Sequence, residues 1–162
     1  RMFRVAHAPA ETGPIYCVQD DGMVGLGCGA RSYTCTHHYA SEYAVGARGV
    51  RAILSEYIAM PSEAFDAAYY GFCLDDEEQR RRYVLKSLLE AGGLNLDHYR
   101  RRFDSDVLSD LPALHDLIGS GMAVIAENVM MLTAAGIERS DTIGPWFDSR
   151  RVRELMRGYQ LR

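Results

Sequence analysis

The chain has no Cys-x-x-Cys pair: its four cysteines stand at 17, 28, 35 and 73, at gaps that fit no iron-sulfur run. It has no stretch of the ~18 apolar residues that a bilayer crossing needs, and no apolar core of a signal peptide near its start. Reduced thiols, no membrane partner and a cytoplasmic location are the expectations. It also has no basic excess. The formal net charge is −4, whereas a phosphate-binding surface normally carries a surplus of Lys and Arg. No cap or turn residue precedes Arg1-Met2-Phe3-Arg4, and the chain reads as a piece of a longer polypeptide.

What is present is ordinary in bulk and unusual in one place. A hydrophobic fraction of 48% and a charged fraction of 25% over 162 residues suit a folded protein with one good core or two small ones. Between Gly22 and Tyr33 stand Gly22, Gly25, Gly27 and Gly29. Met23, Val24 and Leu26 read as a short buried strand. The glycines between them leave one face bare, where a flat ligand or another backbone can come close. A phosphate-binding loop would need Lys-Ser/Thr after the glycines, and this run ends Ala30-Arg31-Ser32-Tyr33. Gly25 to Ala30 matches a dinucleotide fingerprint only formally, because Arg31 to Ala40 does not read as the helix that must follow. Plain tight packing of a strand against its neighbours explains the same spacing.

Along the chain, residues 8–14 read as a loop, Ile15 to Val18 as a strand, Asp20-Asp21-Gly22 as a turn, and Met23 onward as the returning arm of a hairpin. Val50, Ile53, Leu54, Tyr57 and Ile58 recur at helical spacing and stop before Pro61. A second short helix opens at Pro61-Ser62-Glu63 and carries Phe65, Ala68 and Tyr69. Asp75 or Asp76 caps a charged helix with a stripe of Val84, Leu85, Leu88 and Leu89, which Gly92 or Gly93 ends. Asn95 precedes a helix over 96–103. Leu111, Leu114, Leu117 and Ile118 mark another, with Pro112 in its first turn. Met122 to Ile125 and Val129 to Leu132 read as a hairpin, Thr133 as a cap, and residues 140–162 as a closing helix whose packing residues include the single Trp146. The fold class expected is α+β, with an internal boundary near Gly71 to Asp76, and three helices followed by a hairpin is winged-helix order.

Two side-chain groupings have competing readings. Cys35, His37 and His38 could form half of a metal site, but adjacent side chains on a strand face opposite ways and no second ligand pair follows. No metal is expected. Arg80-Arg81-Arg82 and Arg100-Arg101-Arg102 could meet phosphate, although Asp97, Asp104 and Asp106 flank the second triplet and would repel it. A solvated helix face accounts for them equally.

Val24-Gly25-Leu26-Gly27-Cys28-Gly29-Ala30-Arg31-Ser32-Tyr33 resembles the Gly-Leu-Gly-x-x-Ala-x-Ser-Tyr element of the oxygen-independent coproporphyrinogen III oxidase-like radical S-adenosylmethionine proteins. Tyr39, Gly93-Leu94-Asn95-Leu96, Leu132-Thr133-x-x-Gly136 and Arg139 to Phe147 extend the resemblance through the tail, in the manner of an uncharacterised branch. It implies that residues 1–72 are the closing strands of a partial (β/α) barrel and that residues 73–162 are a mostly helical, winged-helix-like domain. It further implies that the backbone near Ala30 and Arg31 touches the adenine of S-adenosylmethionine, with Gly27 and Gly29 as neighbours that act by lacking bulk. Tyr33, His37, His38 and Tyr39 are the implied substrate side.

The family's Cys-x-x-x-Cys-x-x-Cys is absent here. The implied [4Fe-4S] cluster would belong to an upstream barrel of the same polypeptide, and the chain alone would be inactive. The haem-chaperone branch's His-Asn-x-x-Tyr-Trp is replaced by Ile15 to Asp20. The competing expectations are a winged-helix module that binds nucleic acid or protein, with helix 96–103 as its reading element, and a purely structural tail that packs or dimerises through Trp146, Phe147 and Met156.

Overall fold

A computed structural model describes residues 22–42 and 44–159. The strand and turn expected at 15–21 lie outside them. The described residues form an α+β structure with two small antiparallel sheets.

The first sheet has the order β1-β2-β3, from Arg31–Tyr33, His37–Ala40 and Gly71–Cys73. Ser32 lies opposite Tyr39, Tyr33 opposite His38, and His37 opposite Cys73. Between β2 and β3 run helix α1 (Ala47–Ala59) and a 3-10 turn over Ser62–Phe65. The helical spacing of Val50, Ile53, Leu54, Tyr57 and Ile58 is realised, but α1 buries none of its residues, and Ile58 is 81% exposed. The helix opened at Pro61 is only that 3-10 turn, and Phe65 and Tyr69 are exposed.

The second sheet, order β4-β6-β5, is built from Leu94–Asn95, Val129–Leu132 and Ala123–Ala126. Helix α2 (Asp76–Leu89) packs on β4 and β6, and α3 (Leu96–Phe103) on β4. Asp75 caps α2 by accepting from the Glu78 N–H, and Asn95 caps α3 by accepting from that of His98. The β5–β6 hairpin turns on Glu127 and Asn128, both at positive φ (49° and 65°), the conformation whose twist suits a two-residue turn. Gly93 ends the loop after α2 at φ 70°, where a Cβ would stand 2.7 Å from the Met130 carbonyl oxygen.

The stripe expected as one helix over 111–118 is divided. α4 (Val107–Asp110) is capped by Asp106, and α5 (Leu114–Gly119) begins after Pro112. Proline lacks an N–H and cannot continue α4's bonding, so the backbone restarts beyond it. The closing segment is likewise three helices: α6 (Ala134–Glu138) capped by Thr133, α7 (Ser140–Trp146), and α8 (Arg150–Gly158) capped by Ser149. Val84, Leu88, Leu94, Tyr99, Leu114 and Met130 centre one core, which Ile143 and Phe147 close from α7. Trp146 stays 39% exposed, contrary to the core position expected for it, while its neighbour Phe147 is buried. Met156 is 64% exposed. No helix among the described residues is long and apolar enough to cross a membrane.

Candidate functional site

The glycine stretch is not a buried strand. Met23 alone pairs, exchanging both backbone hydrogen bonds with Tyr33 at 2.9 Å, while Val24 and Leu26 are 74% and 89% exposed. The chain leaves the sheet because three of its glycines are needed for other things. Gly25 passes so close to β1 that a Cβ there would lie 2.5 Å from the Arg31 carbonyl oxygen, and its N–H donates to the Ser32 hydroxyl at 3.0 Å. Gly27 and Gly29 then take φ of 94° and 75°, and the Ala30 N–H closes the turn on the Gly27 carbonyl at 3.2 Å. The bare surface comes from a turn and not from a flat strand.

That turn forms one wall of an open cleft of about 740 Å³. Val24, Gly25, Leu26, Gly27 and Ala30 line it, and Ser32 and Tyr39, which face each other across β1 and β2, form its base. The opposite wall is Ile53, Tyr57 and Met60 from α1 and its end, continued by residues 64–70. Of the residues implied to face the nucleoside, Gly27 and Ala30 line the cleft; Gly29 and Arg31 stand beside it in the same turn and strand.

The substrate-side candidates fall on two faces, because successive side chains on a strand alternate. Tyr39 lines the cleft. Tyr33 and His38, paired in register, stack on the other face at 4.4 Å between ring centroids. Burial, followed by the charges of Arg31 and Arg82, pushes the His38 imidazole below its ordinary pKa and keeps it neutral. His37 is bound into the β1–β2 turn. Its N–H donates to the Thr34 hydroxyl at 2.9 Å, and its Nδ1 lies 2.8 Å from the Thr36 hydroxyl. Cys35 and Cys73 are exposed free thiols, and among the described residues no group of three metal-ligating side chains converges.

Apart from the exposed Arg101, the arginines of the two triplets are engaged within the protein rather than displayed as one face. Arg80 pairs with Asp110 at 3.5 Å, Arg81 with Glu77 and the Phe147 carbonyl, and Arg82 donates to the carbonyls of Thr34 and Cys35. Arg100 pairs with Asp97 and Asp106, and Arg102 lies over the Tyr83 and Phe103 rings. Around Asp110, burial alone would raise the carboxyl, but hydrogen bonds from Ser105 and Tyr99 and the Arg80 charge outweigh it and hold it below its usual value.

Sequence reasoning missed the α1 wall and the segment 64–70. The available signal was the run Ile53, Glu56, Tyr57 and Met60 at i, i+3, i+4 and i+7, one helical face that ends in no core. Comparison with family models, characterised proteins and solved structures finds no match to this chain.

Proposed function

We propose that this chain is the C-terminal part of a cytoplasmic radical S-adenosylmethionine oxidoreductase, similar to the oxygen-independent coproporphyrinogen III oxidases, and inactive without its upstream barrel. One observation carries the reading. The glycine element that bears the resemblance, Val24 to Ala30 with its glycines interleaved with Val24 and Leu26, lines one wall of a cleft large enough for a nucleoside and a small substrate. The adenine lies against Gly27, where the side-chain position is open, and Ala30, while Gly25 lacks a Cβ because the β1 backbone occupies that place. Arg31 contributes through its backbone, since its side chain is directed to the Tyr33–His38 face. Tyr39 stands at the base of the cleft, within the same enclosure as the substrate.

The [4Fe-4S] cluster, held by thiolates of the upstream barrel, supplies the electron that cleaves S-adenosylmethionine; the cysteines of this chain do not hold it. Residues 73–162 form a winged-helix-like cover. The order α2, β4, α3, α4, α5, β5, β6, with the single-turn α4 preceding α5 and with β4 and β5 flanking β6, supports that reading. A nucleic-acid role for the cover has little support, because Arg100 and Arg102 are already engaged by carboxylates and rings.

The test is the longer polypeptide expressed under anaerobic conditions, assayed for iron, sulfide and reductive formation of 5′-deoxyadenosine. A cluster with cleavage is the expected outcome. A stable protein with neither would overturn the reading.

A further inference from the structure

We propose that the cleft between the glycine turn and α1 takes its substrate as a cation, a molecule with a positively charged nitrogen or similar group on a flat or apolar body, and rejects polycarboxylates. This rests on the reading of the cleft as the working site and narrows its substrate class.

The charges lining the cleft are of one sign. Glu42, Glu56 and Asp66 line it, and among the described residues no Lys, Arg or His does. Helix α1 sorts its own charges to match. Glu56 shares the cleft face with Ile53, Tyr57 and Met60, while Arg48 and Arg51 fall on the opposite side of the helix at ~100° per residue. The arginines nearest the sheet are also turned away, since Arg31 and Arg82 act on His38 across the other face.

The remaining side chains suit a cation with an apolar body. Tyr39, Tyr57, Phe65, Tyr69 and Tyr70 line the cleft, and Tyr57 meets Phe65 edge to face at 5.2 Å. A cation within about 6 Å of an aromatic face is attracted by the ring's quadrupole, and each neighbouring carboxylate adds to the attraction. A tetrapyrrole bearing several carboxylates meets the reverse: the like charges of Glu56 and Asp66, with no guanidinium or ammonium among the described lining residues to receive it. The volume of about 740 Å³ lies within the range of small-molecule sites.

The test uses two probes of nearly equal shape and opposite charge, phenethylamine and 3-phenylpropanoate. Each is titrated into the chain while the backbone amide and aromatic ring resonances are followed by NMR. Phenethylamine is expected to produce saturable shifts at Gly25, Tyr57 and Phe65, and 3-phenylpropanoate to bind at least about ten-fold more weakly. The double variant Glu56→Gln/Asp66→Asn, at two exposed positions, should keep the fold's spectrum and lose about five-fold or more of the amine affinity. Equal or tighter binding of the carboxylate, amine shifts that map elsewhere, or an unchanged affinity in the double variant overturns the assignment. Formation of 5′-deoxyadenosine by the longer polypeptide together with carboxylate preference would remove the cation assignment and leave the cofactor reading. Amine binding without that cleavage would do the reverse.

Discussion

His38 shows how one side chain can belong to the fold while looking like chemistry. It stacks on Tyr33, and burial with the Arg31 and Arg82 charges depresses its pKa. Its proton therefore binds more readily in the unfolded chain, whose value is near 6.5. The stability contributed by neutral His38 is present above that value and is lost as pH falls through it toward the lower folded value. His38→Phe keeps a ring over Tyr33 and removes the titration. The pH dependence of the urea midpoint between about pH 7 and pH 5 should flatten in this variant, and a slope equal to the wild type's would contradict the assignment. A sequence displays His37 and His38 as a pair. Strand alternation separates them onto two faces, and the register adds their neighbours, Tyr33 opposite His38 and Cys73 opposite His37.

At the scale of elements, legibility followed locality. Helices α2 and α3 carry their start signals within four residues, at Asp75 and Asn95, and the β5–β6 hairpin carries its own in Glu127-Asn128. The β1-β2-β3 sheet carries none. Its strands are three or four residues long, and β3 joins β2 only after α1 and the rest of the chain between Ala40 and Gly71, a closure that local pattern does not encode. Gly71 makes that pairing possible, since a Cβ there would lie 2.7 Å from the His38 carbonyl oxygen. The last helix was misjudged for a related reason. The break at Ser149 is set by a distant partner, buried Glu78, to whose carboxylate the Ser149 hydroxyl donates while accepting from the Val152 N–H. Ser149→Ala removes the cap and leaves a buried carboxylate oxygen unpaired, which should cost about 1–3 kcal/mol in urea unfolding. Arg150→Ala one residue on, losing only an exposed pair with Glu154, should cost at most about 0.5 kcal/mol. Equal losses in the two variants would refute the distinction.

Across the whole molecule, the glycine cleft and the core-bearing half are connected through arginines. Arg82 reaches from α2 to the turn between β1 and β2, and Arg151 of α8 pairs with Asp75 at 2.8 Å and lies 4.7 Å from the Phe72 ring of β3. At its far end, Tyr159 bonds Tyr70 at the rim of the cleft. This wiring gives the arginine triplet at 80–82 a structural role that its spacing could not reveal. The glycines pointed to a place where a ligand could approach. What stands across from them, Tyr57, Phe65 and the two carboxylates of Glu56 and Asp66, arises from folding α1 and residues 64–70 back toward that turn, which no single stretch announces.

The central claim is that the turn at 25–30 is the wall against which the nucleoside lies. The most direct test is the dissociation constant of S-adenosylmethionine for the longer polypeptide carrying Ala30→Phe, with Arg31→Glu as the comparison. The account predicts a loss of affinity of about ten-fold or more for Ala30→Phe, because the ring would occupy the cofactor's space, and a small change for Arg31→Glu, whose side chain faces away. A correctly folded Ala30→Phe protein that binds S-adenosylmethionine as tightly as the wild type would contradict it.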